Sequence, residues 1–263
     1  MPVLIPRART VTAVIAGVIP LVPIAVALSL GGGGTTPAVA TARSPFSPAA
    51  PVSTAPRGRL VATPPLSGSL VATLTRPVAL LTRPSGRAYG RLGLTTAFGS
   101  AETMLVVRSS GQWLGVLNPL AGNGRIGWIP AAAASLSRVR WRIDVSLSRR
   151  RVTVSDGGHV LRRYTVAIGA PASPTPTGRF AVTDRLHTPD PAGPYGCCIL
   201  ALSATAPHAI QGWNGGNRVA IHSTPETSSI GHPVSHGCIR LTLAEGRWLL
   251  RHIPLGTPTI IRT

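Results

Sequence analysis

From Leu70 onward the apolar residues of this chain come in short runs cut off by turn-formers, a spacing that dictates strands. Runs at 78–81, 104–107, 113–117 and 126–129 are separated or flanked by Pro84-Ser85-Gly86, Ser109-Ser110-Gly111 and Gly122-Asn123-Gly124. Short strands spaced this closely predict a small barrel over 70–137. Residues 138–263 continue the pattern with strands expected over 141–147, 152–154, 160–168, 179–183, 219–221, 239–241 and 259–261. Asp156-Gly157-Gly158 reads as a hairpin turn. One helix is expected, from the capping box Thr242-Leu243-Ala244-Glu245 to about His252, stopped by Pro254 and Gly256. The fold class is therefore mainly β with one helix.

The first 69 residues are of another kind. Arg7 and Arg9 precede an uncharged apolar stretch over 10–30, the pattern of an export signal. Ala38-Val39-Ala40 offers a small-x-small cleavage site, and Pro20 and Pro23 weaken the stretch as a rigid span without excluding an anchor. Residues 1–30 are thus read as a signal peptide or membrane anchor, placing the remainder outside the cytoplasm. Residues 31–69 open on four glycines and are rich in Pro, Ala, Ser and Thr. They have too few large apolar residues to bury a core and read as a flexible tether.

The charged residues are 26 arginines, no lysine and seven acids, a formal charge of +19. That charge favours anionic partners, wall polymers and lipid headgroups among them. It also fits an arginine-for-lysine bias of a GC-rich genome. The arginines are scattered and no aromatic array interleaves them, so nucleic acid is not an expected partner. Arg149-Arg150-Arg151 is read as a solvated hairpin. Cys197, Cys198 and Cys238 make an odd count, leaving at least one thiol free within a chain. Adjacent cysteines seldom bond to each other, so Cys197 and Cys198 are expected to be small buried side chains.

The chemistry concentrates in Ser235-His236-Gly237-Cys238-Ile239-Arg240, with Ile221-His222-Ser223 upstream. A thiol attacks only as thiolate, and an imidazole within reach can take its proton. Cys238 is the candidate nucleophile, His222 the candidate base, and Gly237 allows a tight turn beside the sulfur. Amides in such a turn, those of Gly237 and Cys238, are candidates for an oxyanion site. His222 needs an acceptor for its second nitrogen, and a backbone carbonyl could serve. Four ligand-type residues, His222, His232, His236 and Cys238, leave a structural zinc site as an alternative. A papain-like arrangement is disfavoured because there the cysteine precedes the histidine.

These residues resemble the signature of the YkuD-type L,D-transpeptidases: His222, then Ser235-His236-Gly237-Cys238 and Ile239-Arg240-Leu241. Ile168-Gly169 followed by Pro174-Thr175-Pro176-Thr177-Gly178-Arg179-Phe180 resembles a second family segment. The resemblance covers about 138–263. It implies a β-sandwich catalytic domain that cross-links peptidoglycan stem peptides through a cysteine thioester, needs no cofactor and is acylated by carbapenems. It also implies that His236 supports the active-site turn and that Tyr195 stands in a cleft wall. Ser235 is read as a brace of the turn, Ser223 as an aid to the imidazole, and Arg240 as a substrate contact or a structural tie. Glu226 and His232 are read as solvated. Residues 70–137 resemble a bacterial SH3-like domain, on Gly111-Gln112-Trp113-Leu114-Gly115-Val116 and Gly127-Trp128-Ile129-Pro130. An L,D-carboxypeptidase using water as acceptor, and a non-catalytic wall-binding protein, remain as alternatives.

Overall fold

The computed structural model describes residues 67–206 and 216–263. The leader over 1–30, nearly all of the tether over 31–69, and His208 lie outside the described residues. Seven strands come first: β1 (Ser69–Leu74), β2 (Val78–Leu81), β3 (Ala88–Leu92), β4 (Thr103–Ser110), β5 (Trp113–Val116), β6 (Gly127–Pro130) and β7 (Ala134–Val139). They form one sheet in the order β3-β2-β6-β5-β4-β1-β7, antiparallel throughout. Leu80, Met104, Val116 and Ile129 fill its core.

The second part holds β8 (Trp141–Ser146), β9 (Arg151–Asp156), β10 (His159–Thr165), β11 (Ile168–Gly169), β12 (Gly178–His187) and β13 (Cys198–Thr205). It continues with β14 (Arg218–Ser223), β15 (Pro233–Ser235), β16 (Ile239–Leu241), helix α1 (Leu243–His252) and β17 (Pro258–Arg262). Eight strands run in the order β10-β9-β8-β17-β12-β13-β14-β16, and β11 pairs separately with β15. The β8–β17 and β14–β16 pairs are parallel. The hairpin after β9 closes on Gly157 and Gly158, both at positive φ (57° and 89°), as a two-residue turn between twisted strands demands. Helix α1 begins at the expected capping box: Thr242 Oγ1 accepts from the Glu245 amide, and Glu245 returns to the Thr242 amide. Its buried Leu249 and Leu250 join Val154, Leu200, Leu202 and Ile221 in one core. Among the described residues the architecture is mainly β with one α-helix.

Two elements differ from expectation. The strand foreseen over 160–168 ends at Thr165; Ala167 then bridges to Arg240, and Ile168–Gly169 pairs with Pro233–Ser235. The chain leaves one sheet edge to support the segment preceding Cys238. Strand β13 carried no sequence signal, because seven of its eight residues are buried and a strand covered on both faces loses the period-2 alternation.

The two sheets belong to one compact unit and share a joint. Val71, Leu105, Leu117 and Val139 pack with Ala181 of β12. Asn123 exchanges two hydrogen bonds with the Thr205 backbone, donating to its carbonyl (2.6 Å) and accepting from its amide (2.9 Å). Beside them lie three buried charged groups. Arg218 Nη2 stands 3.6 Å from Asp184 Oδ2, Thr96 donates to the other oxygen of Asp184, and Asn118 donates to Glu102 (2.9 Å). Burial pushes the Glu102 carboxyl up from 4.5 to about 7, and Asp184 adds to the rise against the pull of Arg218 and Asn118.

A carboxyl whose folded pKa is raised loses stability as pH climbs through the window from 4.5 to about 7, because only the unfolded chain ionises freely there. Glu102→Gln keeps the acceptor for Asn118 and removes this titration. Urea unfolding should find the variant unchanged near pH 4 and more stable near pH 8 by about 3 kcal/mol. Equal stability of the two proteins near pH 8 would show that Glu102 ionises normally.

Candidate active site

Strands β14 and β16 lie side by side in parallel, with Ile221 opposite Ile239, His222 opposite Arg240 and Ser223 opposite Leu241. Side chains alternate along a strand, so Val219, Ile221, Ile239 and Leu241 turn to the core. Ala220, His222 and Arg240 share the other face. Cys238 immediately precedes β16, at the level of Ala220, and its sulfur accepts a backbone hydrogen bond there. Pairing of two short segments thus brings the sequence-predicted nucleophile and base to one face.

His222 is almost fully buried, at 3% exposure. Its Nδ1 lies 2.8 Å from the Ser223 carbonyl oxygen, which can only accept, so Nδ1 carries the proton and Nε2 keeps its lone pair. The Tyr195 ring meets the imidazole edge to face, with centroids 5.0 Å apart. Burial drives the imidazole pKa down from 6.5 to about 4; the Ser223 carbonyl opposes this and Arg240 adds to it. Half-buried Cys238 is shifted the other way: burial pushes its thiol up, against the Ala220 backbone hydrogen bond and Arg240. Both shifts disfavour charge, so the resting pair is a neutral thiol and a neutral imidazole.

The turn before Cys238 is braced from within. Ser235 Oγ donates to the Cys238 carbonyl (2.5 Å) and accepts from the Gly237 amide (3.1 Å). Gly237 sits at φ 111°, and a Cβ there would stand 3.1 Å from that of Ala206. Because its amide is taken by Ser235, the expectation that Gly237 and Cys238 both serve an oxyanion narrows to the Cys238 amide. The second motif supports the turn: Gly169 pairs with Ser235, and Thr175 Oγ1 accepts from the Gly169 amide (2.9 Å). Buried Thr175 and the clash any Cβ at Gly169 would make with Ser173 and Thr175, both at 2.4 Å, explain these residue types.

Other predicted residues fall differently. His236 is exposed on the turn, and His232 is exposed on the preceding loop. Among the described residues no group of three or more His, Cys, Asp or Glu side chains comes together. Arg240 pairs with Glu226 at 3.5 Å, so Glu226, though exposed, is an ion-pair partner rather than merely solvated. Ser223 assists the imidazole through its carbonyl, while its hydroxyl works elsewhere. Buried Ser223 Oγ accepts from the amides of Cys197 (3.0 Å) and Cys198 (3.1 Å).

Those two cysteines form a disulfide with each other, which corrects the expectation of two separate thiols; both are buried, as expected. The bonded pair, Ser223 and helix α1 meet closely, since a Cβ at Gly246 would lie 2.7 Å from that of Ser223. No sequence signal links residues 197–198 with 223. Only the pairing of Ile199 with His222 across β13 and β14 brings them together.

Residues 140–261 match the model of the YkuD L,D-transpeptidase catalytic domain. The match covers less than half of the chain. Among curated relatives, the Bacillus licheniformis and Bacillus subtilis proteins named YkuD are 33% and 32% identical to 45% and 47% of this chain. The chain spans 64% and 66% of their lengths. L,D-transpeptidase 1 of Mycobacterium tuberculosis is 33% identical over 124 residues, 43% of this chain and 47% of its own. Among solved structures, an L,D-transpeptidase from Mycobacterium smegmatis aligns with 73% of this chain and 99% of its own at 21% identity and a TM-score of 0.40. The His222 and Cys238 segments both fall within the stretch that matches the YkuD family.

The disulfide makes a count that can be checked. Denatured without reduction, each chain should take up one equivalent of iodoacetamide, at Cys238, and three after reduction. Three equivalents before reduction, read by peptide mass, would show that Cys197 and Cys198 are thiols.

Proposed function

We propose that the protein is a peptidoglycan L,D-transpeptidase with Cys238 as nucleophile and His222 as base. The observation that supports this most is the β14–β16 pairing, which sets both residues on one face with the lone pair of His222 Nε2 unclaimed by the Ser223 carbonyl. The reaction begins from the neutral pair. As the sulfur attacks a stem-peptide carbonyl, His222 Nε2 takes the thiol proton, and the Cys238 amide steadies the developing oxyanion. The tetrahedral intermediate collapses to a thioester. The terminal D-residue leaves as an amine that carries the proton given back by the imidazolium. A side-chain amine of a second stem then attacks the thioester, losing its proton to His222, and the cross-link forms as the thiol is restored. One amide bond replaces another, so no external energy source enters.

The roles of the neighbours follow. Ser223 and Tyr195 hold the imidazole, Ser235 and Gly237 hold the turn, and Arg240 supplies a positive charge beside both reacting groups. His236 stands exposed at the entrance. Residues 70–137 are read as an SH3-like spacer or wall-binding module, 138–263 as the catalytic domain, and 1–30 as the export signal or anchor that puts them outside the cytoplasm.

Incubating the protein with a carbapenem should add one adduct by intact mass, absent in Cys238→Ala. No adduct on folded, reduced protein would overturn the reading. Stem-peptide products then separate cross-linking from simple hydrolysis, in which water replaces the second amine. The pH profile checks the neutral pair. With the imidazole near 4 and the thiol raised, alkylation of Cys238 should climb steadily into alkaline pH. A plateau between about pH 5 and about pH 8 would reveal a thiolate–imidazolium pair instead. His222→Gln should slow carbapenem acylation by about 10²–10⁴-fold, the range for loss of a general base.

A further inference from the structure

At the end of the eight-stranded sheet away from β14 and β16, strands β17, β8, β9 and β10 lie side by side. Ile143, Val145, Val152, Val154, Tyr164 and Ile261 turn to the core, so the alternate residues face outward. In register on that outer face, Arg262 lies opposite Ser146, Ser146 opposite Arg151, and Thr153 opposite Arg163. Arg149 comes from the turn that joins β8 to β9. These four arginines line a hollow of about 260 Å³. The triplet read as a solvated hairpin contributes two of the four, and the other two are 12 and 111 residues downstream of Arg151, so no sequence window contains the set.

No side-chain carboxylate in the hollow is free to pair with these arginines. The one such group in its lining, Asp144, is gripped by Arg142 through both oxygens, each at 2.6 Å. None of Arg149, Arg151, Arg163 and Arg262 forms a salt bridge among the described residues. Four guanidiniums around one concavity repel one another until an anion enters, and their planar donors fit phosphate oxygens in pairs. The spacing favours more than one phosphate. Arg151 and Arg262 stand two strands apart, about 10 Å by the usual interstrand distance, and Arg163, on the next strand opposite Thr153, lies diagonally from Arg151. Single-stranded nucleic acid would need aromatic platforms for its bases, and the lining holds no aromatic residue.

We propose that this basin binds consecutive phosphodiester groups of a flexible polyol-phosphate polymer. It lies four strands from the Cys238 face, so an occupied basin retains the protein on such a polymer while leaving the Cys238 cleft open.

The test measures binding of a fluorescent poly(glycerol phosphate) oligomer to the full chain by anisotropy at physiological ionic strength. Two double variants remove equal charge: Arg151→Gln with Arg163→Gln in the basin, and Arg87→Gln with Arg125→Gln on the exposed surface of the other sheet. The basin pair should weaken binding by at least about tenfold, roughly one lost charge-assisted contact, and the surface pair by no more than about twofold. Equal weakening by both pairs would reduce the effect to net charge and overturn the proposal. So would the absence of binding, or tighter binding of an oligothymidylate with the same number of phosphates.

Discussion

Everything at the site depends on the parallel pairing of Arg218–Ser223 with Ile239–Leu241. Two short strands are held by hydrogen bonds at one fixed register, and side-chain alternation does the rest. A slip of one residue would send His222 into the core and Ile221 to the cleft. Burial of Val219, Ile221, Ile239 and Leu241 forbids that slip. The same apolar packing that stabilises the sheet therefore aims the imidazole and thiol, and the segment carrying Ile168 and Gly169 fixes the turn from behind.

Ser223 is where support for the His222 imidazole converges. Its carbonyl selects the imidazole tautomer, and its hydroxyl receives two consecutive amides from the bonded Cys197 and Cys198. Backbone acceptors are strong and cannot titrate, so the imidazole is oriented without a carboxylate. That choice suits a histidine driven down to about 4. A neighbouring carboxylate would raise the imidazole and favour an ion pair with the thiol; a carbonyl at the same place leaves the pair neutral.

Charge is distributed by the fold rather than by the sequence. The few acids are drawn to arginines at structural points: Asp184 to Arg218 at the joint of the two sheets, Glu226 to Arg240 beside the site, Asp144 to Arg142 on the outer face. Among the described residues Arg149, Arg151, Arg163 and Arg262 are left without an acidic partner, and register decides where they gather.

The sequence by itself determined most of the local structure and pointed to the candidate chemical residues. Turn-formers between apolar runs specified strands, the Thr242 and Glu245 pattern specified one helix, and His222 with Ser235-His236-Gly237-Cys238 marked a candidate base and nucleophile, because each of these signals is short in range. Tertiary structure decided what long-range pairing alone can decide. Strand β13 was hidden because double-sided burial erases its alternation, and the end of β10 was missed because Ala167 answers to Arg240 rather than to its neighbours. The bond between Cys197 and Cys198, its attachment to Ser223, the loss of the Gly237 amide to Ser235, and the gathering of four arginines on one face all involve residues whose meeting no local pattern encodes. Contacts within a turn can be read from the sequence; contacts across a sheet exist only once register has been set by the burial of the whole core.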